Sequence, residues 1–289
     1  MGHILSICAV SFDVLKYIIM EKNVLLTIAY DGSGFSGWQR QPDKPTVQGY
    51  LEKTISSLFK KEILLNGTSR TDAGVHALGQ RASFKTDIGI PVEKIPMVVN
   101  NALCGREKGP FAIAPIRIVA AEEMPSDFHA RFDCKGKTYV YRIKNSNEID
   151  LFQRNYTYHV SKPLDIEAMK EATKVLIGTQ DFKSFESSGG NPRETTVRTI
   201  FDAEISVVNE GKSDDGLAGD IEFRVTGDGF LYNMVRIITG TLVDIGLGKI
   251  SKDNMKAIIE AKDRTVAGHT APPYGLYLAE VYYDTIERR

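Results

Sequence analysis

The chain has 289 residues, 42% of them hydrophobic and 25% charged, enough to bury a sizeable core in one large domain or two of ordinary size. With 36 Lys and Arg against 37 Asp and Glu the formal charge is −1, so a nucleic-acid role cannot rest on net charge and needs a local basic face. Cys8, Cys104 and Cys134 show no C-x-x-C spacing and the 5 histidines no H-E-x-x-H, which argues against a disulfide framework and a metal site and fits a reducing cytoplasm.

The apolar start, residues 1–20, lacks a basic leading segment and a small-residue cleavage site, and Asp13 and Lys16 interrupt it. Neither secretion nor a membrane span is expected. Residues 1–22 are read as an upstream extension or a packed appendage outside the catalytic fold. Alternation then predicts a strand over 23–30, and Val47, Leu51, Ile55 and Leu58 fall on one helical face. Short strands at 63–65 and 80–84, a helix near 92–103 interrupted by Pro96, and a strand at 111–119 complete the order βαββαβ within a first half, 23–125.

A second half, 126–289, repeats that order. It has a strand at 137–143, a helix from the N-cap candidate Asp165 to Gly178, and strands at 197–208 and 221–225. A long helix carrying Leu231, Val235, Ile238, Leu242 and Ile245 and a strand at 276–283 follow. The helix at 251–262 and the polar stretch 209–220 are expected insertions, the latter a mobile hairpin loop. The fold class is mixed α/β of the α+β type. Two fused ferredoxin-like βαββαβ units would set mostly antiparallel sheets side by side, with a central catalytic cleft where they meet.

Gly32, Gly34 and Gly37 spell G-x-G-x-x-G after a strand. The prolines at 42 and 45 intervene before any helix, so a tight glycine loop is favoured over a dinucleotide site. Trp38 and Arg40 beside it offer RNA stacking and phosphate pairing. More informative is the stretch from Gly67 to Ala77, with Arg70, Asp72, Gly74 and His76, set between two short strands so that its side chains can project into a cleft. Taken alone, the segment reads first as a structural turn with a surface pair.

This segment resembles the catalytic loop of the tRNA pseudouridine synthases of the TruA family, and the resemblance runs over nearly the whole chain from Asn23. The blocks that carry it are Tyr30 to Gly32, Phe35, Gly37 to Gln41, Thr46 to Gln48, and Asp127 to Phe132 with Tyr139 and Tyr141. Further blocks are Asp181-Phe182 with Ser184-Phe185, Val197 to Ile200, Phe230 to Arg236, and Gly275 to Leu278. Ser69 stands where the family often has glycine, and Lys137-Thr138 replaces a more basic pair. Neither departure removes a group the reaction needs.

The resemblance implies isomerisation of uridine to pseudouridine at positions 38, 39 and 40 of the tRNA anticodon arm, by a homodimer that needs neither metal nor organic cofactor. It assigns the essential carboxylate to Asp72 and an ionic partner that keeps it charged to Arg236. Tyr139 would stack on the extruded uracil and Leu276 would wall the base pocket. Arg70 would fill the space of a flipped base or hold phosphate. His76 and His129 are read as structural. Lys135, Lys137, Arg142 and Lys144 alternate with aromatic residues along a strand, which suits either an RNA contact or a solvated sheet face. The competing readings are an RNA-binding paralogue without catalysis and a synthase for another RNA site.

Overall fold

The computed structural model describes residues 21–104, 114–190, 194–209, 216–284 and 286. The proposed N-terminal extension, save its last two residues, lies outside them, as do Phe111 and residues 210–215 of the expected hairpin loop. The first half comprises β1 (Lys22–Tyr30), α1 (Val47–Phe59), β2 (Asn66–Gly67), β3 (His76–Thr86), α2 (Ile95–Cys104) and β4 (Ile116–Met124). The second comprises β5 (Gly136–Asn145), β6 (Tyr158–Val160), α3 (Ile166–Lys174), β7 (Gly178–Asp181), β8 (Val197–Asn209), β9 (Gly219–Gly227), α4 (Met234–Gly246), α5 (Asn254–Ala261) and β10 (Leu276–Tyr282).

The architecture is mixed α/β, with one open sheet where two are expected. Its order is β4-β1-β3-β10-β5-β9-β8-β7, with β2 on β3 and β6 on β5, and only β3–β10 and β5–β6 pair in parallel among the described residues. The two halves join at β3 and β10, where Tyr277 pairs with His76 and Leu278 with Ala77. That short parallel seam makes the sheet continuous. Helices α1 and α2 pack together, with α2 on β4, while α3 packs with α4 and lies on β8. No described helix is long and apolar enough to cross a membrane.

Local differences from the expected elements have local causes. Residues 63–65 form no strand, because side chains of α1 take the bonds that a neighbouring strand would supply. Ser56 Oγ accepts from Ile63 N–H at 2.9 Å, Glu52 Oε1 from Leu65 N–H at 2.7 Å, and Gln48 Nε2 donates to the Leu65 carbonyl at 2.9 Å. Pro96 does not break its helix, since it sits in the first turn of α2, where an N–H has no intrahelical acceptor. Helix α4 starts three residues after Leu231 because Asn233 adopts a left-handed φ of 61°. Gly219 and Asp220 belong to β9, paired with Asn145 and Lys144.

Gly67 adjoins the segment that leads to Asp72, and a Cβ there would lie 2.3 Å from Trp38 Nε1, in an indole only 1% exposed. Gly67→Ala is expected to destabilise the fold by about 1–3 kcal/mol through overpacking. A lowered urea midpoint with unchanged slope would show this; a midpoint equal to that of the parent would contradict the packing.

Candidate active site

The loop between β2 and β3 is held in place from two sides. Thr68 N–H donates to the Arg81 carbonyl at 2.9 Å, and Gln80 clamps Ser69 by accepting from its N–H at 3.2 Å and donating to its carbonyl at 2.7 Å. Val75 N–H returns to the Asp72 carbonyl at 3.1 Å, which closes a turn around Gly74, whose φ is +78°. The glycine loop that mimics a dinucleotide motif is the other support. A Cβ on Gly32 would lie 1.9 Å from the Val75 carbonyl oxygen, and one on Gly37, at φ +90°, 2.6 Å from that of Thr71. Two of its three glycines therefore let one backbone pass close against another.

Trp38 belongs to the core, and its N–H donates to the Thr71 carbonyl at 3.0 Å. Arg40 pairs with Glu52 at 3.0 Å. The buried indole of Trp38 offers no stacking face to RNA and its backbone braces the Asp72 loop, whereas Arg40 stays exposed while paired to α1.

Asp72 meets Arg236 of α4. Arg236 Nη1 donates to Asp72 Oδ2 at 3.4 Å and to Asn233 Oδ1 at 2.7 Å, while its Nε donates to the Ala271 carbonyl at 2.8 Å. Every residue of α4 except Arg236 is buried. A cation in the first turn of a helix opposes the macrodipole by about 0.3–1 kcal/mol, so the three acceptors must outweigh that. Ala271 also donates its N–H to the Arg236 carbonyl at 3.1 Å. Its segment continues to Pro272, whose carbonyl accepts from Tyr141 OH at 2.6 Å, and to Pro273, which lies against Gly74. Residues 271–273 thus touch α4, β5 and the Asp72 loop.

Burial raises the Asp72 carboxyl above the ordinary carboxylate value, with the Arg236 charge and hydrogen bond opposing that rise. Arg236 thus favours the ionised carboxylate, as expected of a cationic partner, and burial acts against it more strongly. Tyr139 on β5 is 8% exposed, lies edge-on to Phe230 with centroids 5.1 Å apart, and has its phenol pushed up to about 12 by burial. Leu276 is buried at the start of β10, opposite Tyr141, with Leu278 opposite Tyr139. Arg70 is exposed and makes no ion pair among the described residues.

His76 and His129 differ. His76 is buried, stacks on Tyr277 at 4.7 Å, and accepts from Gly32 N–H through Nδ1 while Nε2 faces the Asn155 and Tyr274 carbonyls. Burial lowers its pKa, so it stays neutral at pH 7. His129 is half-buried and precedes a turn, with its ring against Phe132. On β5 the residues alternate, so Arg142 and Lys144 point away from Tyr139 and Tyr141. They pair with Glu222 at 3.0 Å and Asp220 at 2.7 Å, which favours the sheet-face reading for these two.

The arrangement agrees with comparison to known proteins. A family model described as tRNA pseudouridine synthase matches residues 26–133 and 172–284. The chain is 49% identical over 267 residues to tRNA pseudouridine synthase A 2 of Clostridium tetani, covering 92% of this chain and 100% of that protein. It is 45% identical over 262 residues to tRNA pseudouridine synthase A of Caldicellulosiruptor bescii and 46% identical to that of Acetivibrio thermocellus, in both cases covering 91% of this chain and 100% of the relative. The chain belongs to the tRNA pseudouridine synthase family.

Within this family member, the sequence pointed to Asp72, Arg236 and Tyr139, and the structure brings them together. It missed Asn233 and Ala271, which orient Arg236. Asn233 leaves its usual capping role and instead holds Arg236 and Ser187, the latter at 3.1 Å. The Asn-x-x-Arg spacing at a helix start was the available signal; the Ala271 carbonyl had none, because a backbone acceptor carries no residue signature.

A carboxyl with a raised folded pKa favours the folded state while protonated, and that contribution is lost as pH rises through the folded value. Asp72→Asn removes the cost of ionising a buried carboxylate. It is expected to resist urea better than the parent at pH 7 and to lose that advantage as pH falls toward the ordinary value of 3.8. An Asn variant less stable than the parent at pH 7 would show instead that the Arg236 pairing outweighs burial.

Proposed function

We propose that this chain isomerises uridine to pseudouridine in the tRNA anticodon arm, at positions 38, 39 and 40, with Asp72 as the essential carboxylate. The observation that carries the residue assignment is the meeting of Asp72 with Arg236, one from each half of the chain, beside the buried ring of Tyr139. The reaction breaks the N1–C1′ bond, turns the uracil, joins C5 to C1′ and moves the C5 proton. Substrate and product have the same atoms and oxidation level, so the chemistry calls for neither metal nor organic cofactor. A carboxylate serves as nucleophile or base, duties it also performs in glycoside hydrolysis.

In this reading Arg236 orients Asp72 and limits the rise in its pKa, Tyr139 presents a ring to the extruded uracil, and Leu276 walls the pocket. Arg70, exposed two residues before Asp72, fills the space the base vacates or holds phosphate. The two halves, 23–125 and 126–289, are two ferredoxin-like units, which the recurring orders β4-β1-β3-β2 and β10-β5-β9-β8 support. The protein acts in the cytoplasm as a homodimer that grips one tRNA across both subunits.

Asp72→Asn is expected to cut pseudouridine formation by at least about a thousandfold, the upper part of what one acid–base group supplies. Affinity for tRNA should change little, since phosphate contacts dominate it. Nucleoside analysis after incubation with excess enzyme, beside a binding titration, checks both; turnover near that of the parent would refute the assignment. The raised Asp72 pKa also moves the acid limb of kcat/KM upward from the ordinary aspartate value. Arg236→Gln, by removing the opposing cation, should move that limb to higher pH; an unmoved limb would mean that another group titrates.

A further inference from the structure

Phe132 is 76% exposed, and a tight turn holds it there. His129 N–H donates to Asp133 Oδ2 at 2.7 Å, Arg131 N–H to His129 Nδ1 at 3.1 Å, and the Phe132 and Asp133 N–H groups to the His129 carbonyl at 3.1 Å. The His129 ring lies against Phe132 with centroids 4.3 Å apart, and the Arg131 guanidinium carbon is 6.0 Å from the Phe132 centroid. Beneath them Ala130 is fully buried. Its carbonyl accepts from Thr68 Oγ1 and from Tyr283 OH, each at 3.0 Å, and its N–H donates to Ser83 Oγ at 3.2 Å.

Thr68 is four residues before Asp72 and two before Arg70, so the turn is fastened to the loop that carries both. With consecutive Cα atoms 3.8 Å apart, Phe132 and Arg70 lie within about 20 Å of each other. An apolar ring fixed in water by a fully bonded turn gives nothing to the fold that a polar residue would not. A rigid aromatic face with a guanidinium beside it is what an unstacked nucleobase requires. Arg70, Arg131 and Lys135 are all exposed and form no ion pair among the described residues, a setting that suits phosphates better than a protein surface.

We propose that the turn from His129 to Phe132 is a stacking platform for an unpaired nucleobase of the RNA substrate, with Arg70, Arg131 and Lys135 as the cations for the surrounding phosphates. The proposal rests on reading the chain as a tRNA-modifying enzyme and adds a second base-binding position to it.

The test places a fluorophore on the platform of the full chain. The natural sequence has 1 tryptophan, Trp38, which is buried, so Phe132→Trp adds an emission that reports the platform alone. Titration with unmodified tRNA transcript should quench it. Phe132→Ala and Phe132→Leu should each weaken tRNA binding about tenfold or more, because neither offers a π face. Both should raise KM while leaving the single-turnover rate at saturating RNA near that of the parent. An unquenched emission, or parental affinity in the Leu variant, would overturn the proposal. So would quenching that grows with protein concentration in the absence of RNA, which would mark a contact between copies. Product formation by the parent is measured alongside. Quenching by tRNA without any pseudouridine would sustain the platform and sink the isomerase reading; pseudouridine without quenching would do the reverse.

Discussion

Arg236 reaches Asp72 at 3.4 Å after two shorter bonds have fixed its guanidinium, to Asn233 at 2.7 Å and to the Ala271 carbonyl at 2.8 Å. Those two bonds decide where the cation sits, and the longer one can then form or stretch without moving it. Asn233 can hold Arg236 only because its left-handed backbone ends the preceding loop and turns the chain into α4. Ala271 can do so only because Gly240, with no Cβ, lets the 269–271 segment lie on the helix; a Cβ there would be 1.8 Å from the His269 carbonyl oxygen. The ion pair between the halves thus depends on a helix start and one close backbone approach.

The same contact explains why a costly arrangement persists. Desolvation works against an ionised Asp72, and the single long bond from Arg236 does not cancel it. A fold selected for stability alone would bury an apolar residue or leave the carboxylate in water. Instead the loop is braced by Trp38, Gly32, Gly37 and Gln80, all of which act on its backbone and leave the carboxylate free. The side chain's poor solvation is imposed by neighbours that do not themselves bond to it.

Much of this was legible in the sequence because it is written in side chains and periods. The strand over 23–30, the helix from Val47 and the N-cap at Asp165 follow from alternation, a 3.6-residue repeat and a short acceptor, and Asp165 does accept from Ala168 N–H at 2.9 Å. The segment 63–65 misled because two buried apolar residues around an exposed one look like a strand, whereas its hydrogen bonds go to Gln48, Glu52 and Ser56, one helical turn apart on α1. Periodicity reports which side chains are buried and is blind to where the backbone bonds. The single sheet was illegible for a related reason: its seam consists of two residue pairs between β3 and β10, 201 positions apart in sequence. Within the site, the residues named by chemistry were found, and the braces made of glycine and backbone were not.

Charge shows the limit of composition most clearly. The chain is nearly neutral, yet its ions are not mixed evenly. On the open face of the sheet Arg142 and Lys144 meet Glu222 and Asp220 on the neighbouring strand, and Arg81 reaches across β1 to Glu122 on β4. Cations paired in this way contribute little to a phosphate field, because each carries its counter-charge within about 3 Å. Arg70, Arg131 and Lys135 have no such partner among the described residues. These three sit on the two segments joined at Thr68 and Ala130, where their charges are free to act on an approaching polyanion. Net charge therefore says nothing of where a nearly neutral chain leaves its cations without counter-charges, and near Asp72 it leaves Arg70 so.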